Sequence, residues 1–355
     1  MFSSELTMKL TDSLHDKDLF DIFCSKQEYD SKKDEYGRFI HKFSSYKNIE
    51  YPVVSNYLLK NGLQIQWPEK TKFAACLTHD VDTIYPSWKY TLFTASKLAL
   101  KMKTKKSLER MASKLGNNNR RNPYWNFKKT LELEKQYDAK STFYFLAATD
   151  DLSGTVYNVE DLTAELDIIS EMGGEVGLHG GFYSYNNIEK LREEKERLEK
   201  ASGRKAIGIR MHYLRFSVPY TWRLIADLGF KYDATFGYPD MPGFRNGMCH
   251  PFKPYDLIAK DSVDVLEIPL TVMDNSLYRM GPDEAWFKVQ KLVEAVEKNN
   301  GVITILWHNN TFDEVFAGEW ARMYEKILQL LKEKKAWMTN GAEICDYWTK
   351  NTPFS

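Results

Sequence analysis

From residue 73 onward the chain carries short apolar runs: FAACLT at 73–78, STFYFLA at 141–147, GEVGLH at 174–179, AIGIRMH at 206–212, VDVLEIPLT at 263–271 and VITILWH at 302–308. A weaker run, KYDATF, lies at 231–236. Between most of them lie stretches with apolar residues at helical spacing, at 127–137, 159–172, 187–202 and 282–299. Gly173 and Gly203 stand where such helices stop. Near-continuous apolar strands alternating with helices read as a parallel sheet buried on both faces. The number of units predicts an α/β fold, a closed or nearly closed barrel, with an open doubly wound sheet as the alternative. No G-x-G-x-x-G or Walker sequence follows any strand, so a dinucleotide or P-loop site is not expected.

Residues 1–70 are polar and Tyr-rich and end in Trp67-Pro68-Glu69-Lys70. They read as an N-terminal extension packed on a barrel formed by residues 71–350. Within that barrel the segment 87–121 stands apart. It carries Lys97, Lys101, Lys103, Lys105, Lys106, Arg110, Lys114, Arg120 and Arg121 among Leu92, Phe93, Leu98, Leu100, Met102 and Leu108. It predicts a basic helical insertion. Two readings stay open: a solvated helical insertion over the barrel mouth, or a peripheral contact with an anionic membrane or a phosphate-bearing carrier.

Composition narrows the partners. The 355 residues hold 49 Lys plus Arg against 49 Asp plus Glu, so no global field steers the chain to nucleic acid. Hydrophobic residues at 43% suffice for a sizeable core. The first residues show no apolar core of signal-peptide type and no run approaches a membrane span, so a cytoplasmic address is expected. Cys24, Cys76, Cys249 and Cys345 are scattered without a CxxC pair. They read as reduced thiols and not as a zinc site.

Polar groups that interrupt an apolar strand at its C-terminal end carry the candidate chemistry, because that rim is where α/β barrels bind ligands. Four runs end this way. The first leads into His79-Asp80-Val81-Asp82, whose two carboxylates lie on one side of the chain. The second reaches His179-Gly180-Gly181, a histidine where backbones approach closely. In the third, Arg210 interrupts the run before Met211-His212-Tyr213, and a buried Arg needs an anionic partner such as Asp80. The fourth stops at His308. Each has a plain structural alternative: a helix cap for the aspartates, a hydrogen-bonded core histidine, a structural ion pair.

In this order the four strand ends resemble the motif set of the polysaccharide deacetylase family, carbohydrate esterase family four, in its D-x-D subgroup. The resemblance spans roughly residues 70 to 345. It implies an incomplete (β/α) barrel with a site at the C-terminal rim and one divalent metal, expected to be zinc. It implies Asp80 as the base that activates water and Asp82 and His179 as metal ligands. Arg210 would hold the base, the backbone of Tyr213 would bind the oxyanion, and His308 would be the proton donor, with Asp274 as its orienting carboxylate. The chain departs from the pattern at Tyr183, where the family has a second histidine, and at His212, where it has proline. His212 is therefore the candidate third ligand, with His79 in reserve.

The long loop 237–252, rich in Gly, Pro and aromatics, supplies Arg245 and His250 as candidate substrate contacts, with a structural Ω-loop as the alternative. The function implied is removal of an acyl group from an N-acyl sugar or glycan in surface-polysaccharide biosynthesis, on a nucleotide-linked or lipid-carrier-linked precursor. The alternatives are a catalytically inactive carbohydrate-binding protein, a hydrolase of small non-sugar amides, and a peripheral membrane adaptor acting through 87–121.

Overall fold

The computed structural model describes residues 14–115, 122–152 and 157–352. The main sheet contains β1 (Ala74–Val81), β2 (Thr142–Leu146), β3 (Glu175–Gly180), β4 (Gly208–Met211) and β5 (Tyr232–Asp233). A small antiparallel hairpin, β6 (Tyr255–Asp256) and β7 (Asp261–Ser262), lies outside it. The main sheet continues with β8 (Leu266–Glu267), β9 (Val272–Met273), β10 (Val302–Leu306) and β11 (Trp337–Thr339). Its order is β8-β5-β4-β3-β2-β1-β10-β9, with every pairing parallel. β1 also changes partner along its length: Ala74–Cys76 pair with β11, and Thr78–Val81 with β2.

The sheet curls into an incomplete barrel. Its two edge strands, β8 and β9, belong to one stretch, 266–273. In that stretch Ile268 N–H donates to the Asp233 carbonyl (2.8 Å), Leu270 to Phe236 (3.1 Å) and Thr271 to Thr304 (3.2 Å). A single segment thus crosses from the β5 edge to the β10 edge, and the apolar run 263–271 yields two very short strands rather than one long one. Helices flank the outside. Leu191 and Leu198 of Ile188–Ser202, for example, pack with Leu178, Ile209 and Met211.

The barrel interior is filled by two tyrosines set against glycines. A Cβ on Gly177 would lie 2.6 Å from Tyr144, and one on Gly208 would lie 2.1 Å from Tyr232. Only glycine admits these rings, which meet hydroxyl to hydroxyl at 3.1 Å. At the N-terminal end the helix Gly341–Asn351 closes the barrel, with Trp348 packed beside Trp67 from the N-terminal segment. The four cysteines are buried and free. No helix among the described residues is long and apolar enough to cross a membrane.

Residues 14–72 pack along the loop that follows β5. Phe244 N–H donates to the Ile49 carbonyl (2.7 Å), and the N–H groups of Val54 and Ser55 both donate to the Gly247 carbonyl, at 3.0 and 3.2 Å. This contact corrects the expectation for Arg245 and His250. Arg245 is buried, pairs with Glu28 through two nitrogens and donates to the Gly237 carbonyl (2.8 Å). His250 is fully buried, donates to the Asn299 carbonyl (2.8 Å) and stacks on Trp348. Both knit the loop to its surroundings, and neither lines the cavity described below.

Replacing Arg245 with Ala leaves Glu28 buried without its cation, so the protein should lose about 3–5 kcal/mol of stability by denaturant unfolding. An unchanged midpoint with weakened substrate binding would restore Arg245 as a ligand contact. Burial pulls the His250 pKa down from 6.5 to about 4. The unfolded chain then binds this proton more tightly. Its contribution to stability is intact above pH 6.5 and declines as pH falls toward 4. Unfolding midpoints across that window should show the decline, and His250→Gln should flatten it.

Candidate functional site

Strand alternation decides which residues of β1 reach the site. Ala74 and Cys76 pack in the barrel interior, whereas Ala75 and Leu77 pack on the outer layer. Thr78 and Asp80 continue the inward series. Arg210 of β4 reaches across to them, with one terminal nitrogen 3.0 Å from Asp80 Oδ1 and 2.7 Å from Thr78 Oγ1. Its Nε donates to the Ala234 carbonyl (2.9 Å), and its guanidinium lies over the Tyr144 ring. The pair is almost wholly buried, so its geometry is fixed by packing beneath it.

His179, at the end of β3, donates from Nδ1 to the Arg210 carbonyl (2.8 Å). His212, just beyond β4, donates from Nδ1 to Asp151 Oδ2 (3.0 Å). A carbonyl and a carboxylate only accept here, so Nδ1 of each ring carries a proton and Nε2 is the atom turned toward Asp82. The Nε2 atoms lie 3.1 Å (His179) and 3.6 Å (His212) from Asp82 Oδ1. The donor atoms of Asp82, His179 and His212 all fall within 4.8 Å of one another. One carboxylate oxygen and two imidazole nitrogens with fixed tautomers form a donor set that suits zinc or a similar divalent ion. Burial works to raise the Asp82 pKa, but His212, His308 and His179 outweigh it and hold the carboxyl well below its usual range.

His308 stands on the other side of Asp82, its Nε2 at 3.5 Å from Asp82 Oδ2. Its Nδ1 donates to Asp274 Oδ1 (2.6 Å), and its own backbone N–H donates to Asp274 Oδ2 (3.0 Å). Thr311 Oγ1 donates to that same carboxylate at 2.6 Å. Burial alone would lower the His308 pKa. Asp274 and Asp82 reverse this and push it up to about 10. Tyr213 and Leu214 follow His212 with φ of 60° and 52°, left-handed values that cost non-glycine residues energy and cluster at functional sites. Arg38 from the N-terminal segment donates to the Tyr213 carbonyl (3.0 Å) and so braces this turn.

These groups line one cavity of about 970 Å³, whose wall includes Asp80, Asp82, His179, His212, Tyr213 and His308. Asp274 and Arg210 stand directly behind the wall. His79 does not join them. Being odd-numbered on β1 it points to the outer layer, where Nδ1 donates to the Trp307 carbonyl and Nε2 meets Glu134 Oε1, both at 2.8 Å. The reserve ligand is thereby corrected to a core histidine. Tyr183 is partly exposed and faces Phe182, outside the cavity wall. Two residues not singled out in the sequence belong to the site: Asp151 and Arg38. Asp151 follows β2 in Thr149-Asp150-Asp151, so the strand-end rule applied to a fifth run would have found it. Arg38 carries no local signal.

No protein-family model and no curated protein sequence matches the chain. Solved structures do share the fold. A protein assigned as a polysaccharide deacetylase from Mycobacterium smegmatis superposes with a TM-score of 0.55 at 17% identity, covering 83% of this chain and 96% of its own. The allantoinase Puue gives 0.53 at 15% identity, covering 90% and 100%. A second protein assigned as a polysaccharide deacetylase, from Pseudomonas aeruginosa PAO1, gives 0.51 at 15%, covering 81% and 95%. At these identities the likeness is one of fold: the barrel is of the polysaccharide-deacetylase type.

Calorimetric titration of chelator-stripped protein with zinc should give one site per chain. His179→Ala and His212→Ala should abolish it, and Asp151→Asn should weaken it about 10–100-fold. Tyr183→Phe should leave it unchanged. Full binding by the His212→Ala variant would move the third ligand elsewhere.

Proposed function

We propose that the protein is a metal-dependent hydrolase that removes an acyl group from an N-acyl sugar. The observation that carries this reading is the arrangement around Asp82: a histidine pair for a metal on one side, Asp80 with Arg210 beneath, and the Asp274–His308 pair opposite, all on one cavity. When bound, a divalent ion, expected to be zinc, supplies Lewis acidity that polarises the amide carbonyl and makes water a better acid.

The remaining work falls to side chains. Asp80, held by Arg210, accepts the proton of the attacking water. The turn at Tyr213 offers its backbone N–H to the oxyanion of the tetrahedral adduct. As the C–N bond breaks, nitrogen takes the electron pair, and His308 donates the proton that lets it leave as an amine. Asp274 orients His308 and keeps it protonated at neutral pH. The products are a carboxylate and a free amino sugar. A cavity of about 970 Å³ is of the size that takes a ligand of one or two sugar rings, and Tyr85, Trp88 and Tyr157 in its wall offer apolar faces for them. A nucleotide- or lipid-carrier-linked precursor of a surface polysaccharide fits this reading. So does a small non-sugar amide, a second reading supported by the shared fold of the allantoinase.

Asp80→Asn and His308→Ala should each lower turnover of an N-acetylated sugar, per folded molecule, by about 10²–10⁴, read by release of acetate, and Asp80→Asn should also cost stability because it strands Arg210. Near-parental rates in either variant would remove that residue's role. Turnover of a small amide with none of N-acetyl sugars would favour the second reading, and zinc binding with no hydrolysis of either would favour a carbohydrate-binding protein.

A further inference from the structure

The helices Trp88–Leu100 and Thr104–Leu115 pack as a hairpin whose first helix reverses the usual pattern of a solvated helix. Its buried positions are Thr91, Thr94, Ala95 and Leu98. The two threonine hydroxyls donate back to the Ser87 and Tyr90 carbonyls, at 3.0 and 2.9 Å. The outward face instead carries Leu92, Phe93, Ala99 and Leu100. Leu100 is 86% exposed, Met102 in the turn 90%, and Leu108 on the second helix 71%. A helix bathed in water places charge outward and apolar bulk inward. Here large apolar side chains gather on the outside, and such clusters mark interaction surfaces.

The charge around them points to the partner. Residues 88–115 hold eight Lys or Arg and one acid, Glu109, in a chain whose formal net charge is zero. Lys101, Lys103, Lys105 and Lys106 are exposed about the tip, and Lys97 rides over the Phe93 ring. Among the described residues none of these five enters an ion pair. Apolar bulk rimmed by uncompensated ammonium groups complements an anionic lipid surface, where the side chains enter the acyl boundary and the amines meet phosphates. The base of the hairpin is fixed. Buried Arg110 pairs with Asp313 at 2.8 and 3.0 Å, just beyond the His308 loop, and Tyr90 donates to the same carboxylate. Trp88 and Lys114 belong to the wall of the active-site cavity.

We propose that this hairpin seats the protein on an anionic bilayer, with Leu92, Phe93, Leu100, Met102 and Leu108 in the headgroup–acyl boundary. Trp88 and Lys114 tie the docked hairpin to the cavity wall. Delivery of an N-acyl sugar on a lipid carrier follows only if the hydrolase reading holds; the docking does not depend on it.

Sedimentation with phosphatidylcholine vesicles, with and without phosphatidylglycerol, tests this directly. Binding is expected to the anionic vesicles alone, lost at high salt. It should weaken about a hundredfold for Leu100→Ser/Met102→Ser and about tenfold or more for Lys101→Gln/Lys103→Gln. The four side chains are exposed, so both variants should keep the parental circular dichroism and the parental rate on a soluble N-acetyl sugar, which separates loss of docking from loss of activity. No association with anionic vesicles at low salt overturns the proposal, as does undiminished association of Leu100→Ser/Met102→Ser. A dimer seen by light scattering that Leu100→Ser/Met102→Ser dissociates also overturns it, since the face would then be covered by a second copy.

Discussion

The buried pair of Arg210 and Asp80 is the interaction on which the rest of the site depends. A guanidinium and a carboxylate removed from water are tolerated only when they meet each other and their remaining hydrogen bonds are filled. Here Thr78, the Ala234 carbonyl and the Tyr144 ring take up most of the guanidinium. Tyr144 holds its place because Gly177 leaves room for it. Removing one charge would strand the other at a cost of about 3–5 kcal/mol. The pair thus fixes Asp80 from below, and the Arg210 carbonyl at the same position fixes the His179 ring. One residue of β4 orients both the candidate base and a candidate ligand.

The same logic recurs at each imidazole. His179, His212 and His308 all spend Nδ1 on an acceptor that cannot donate and turn Nε2 toward Asp82. Asp151 plays for His212 the part that Asp274 plays for His308. His212, just beyond β4 and held by a carboxylate that follows β2, thus faces the same Asp82 oxygen as His179.

Much of this was legible in the sequence because it follows strand period. Apolar runs such as 141–147 and 302–308 mark strands buried on both faces, and their polar ends mark the rim. Alternation along β1 put Asp80 and Asp82 on one side, and the same alternation sends His79 outward. What escaped was either long-range or irregular. The run 263–271 reads as one strand, but its backbone changes partner between Ile268 and Thr271 to bridge the barrel. Arg245 reads as a substrate contact because its partner, Glu28, lies in the N-terminal segment, and no local pattern joins the two. Arg38 reached the Tyr213 turn by the same kind of long-range packing.

The most direct measurement is anomalous diffraction from crystals of the zinc-loaded protein, recorded on both sides of the zinc absorption edge. A single strong peak at the junction of Asp82 Oδ1, His179 Nε2 and His212 Nε2, with Asp80 and His308 flanking it, is the expected result. A peak elsewhere, or one that leaves His212 bonded only to Asp151, would contradict the rebuilt metal centre and the hydrolytic reading that rests on it.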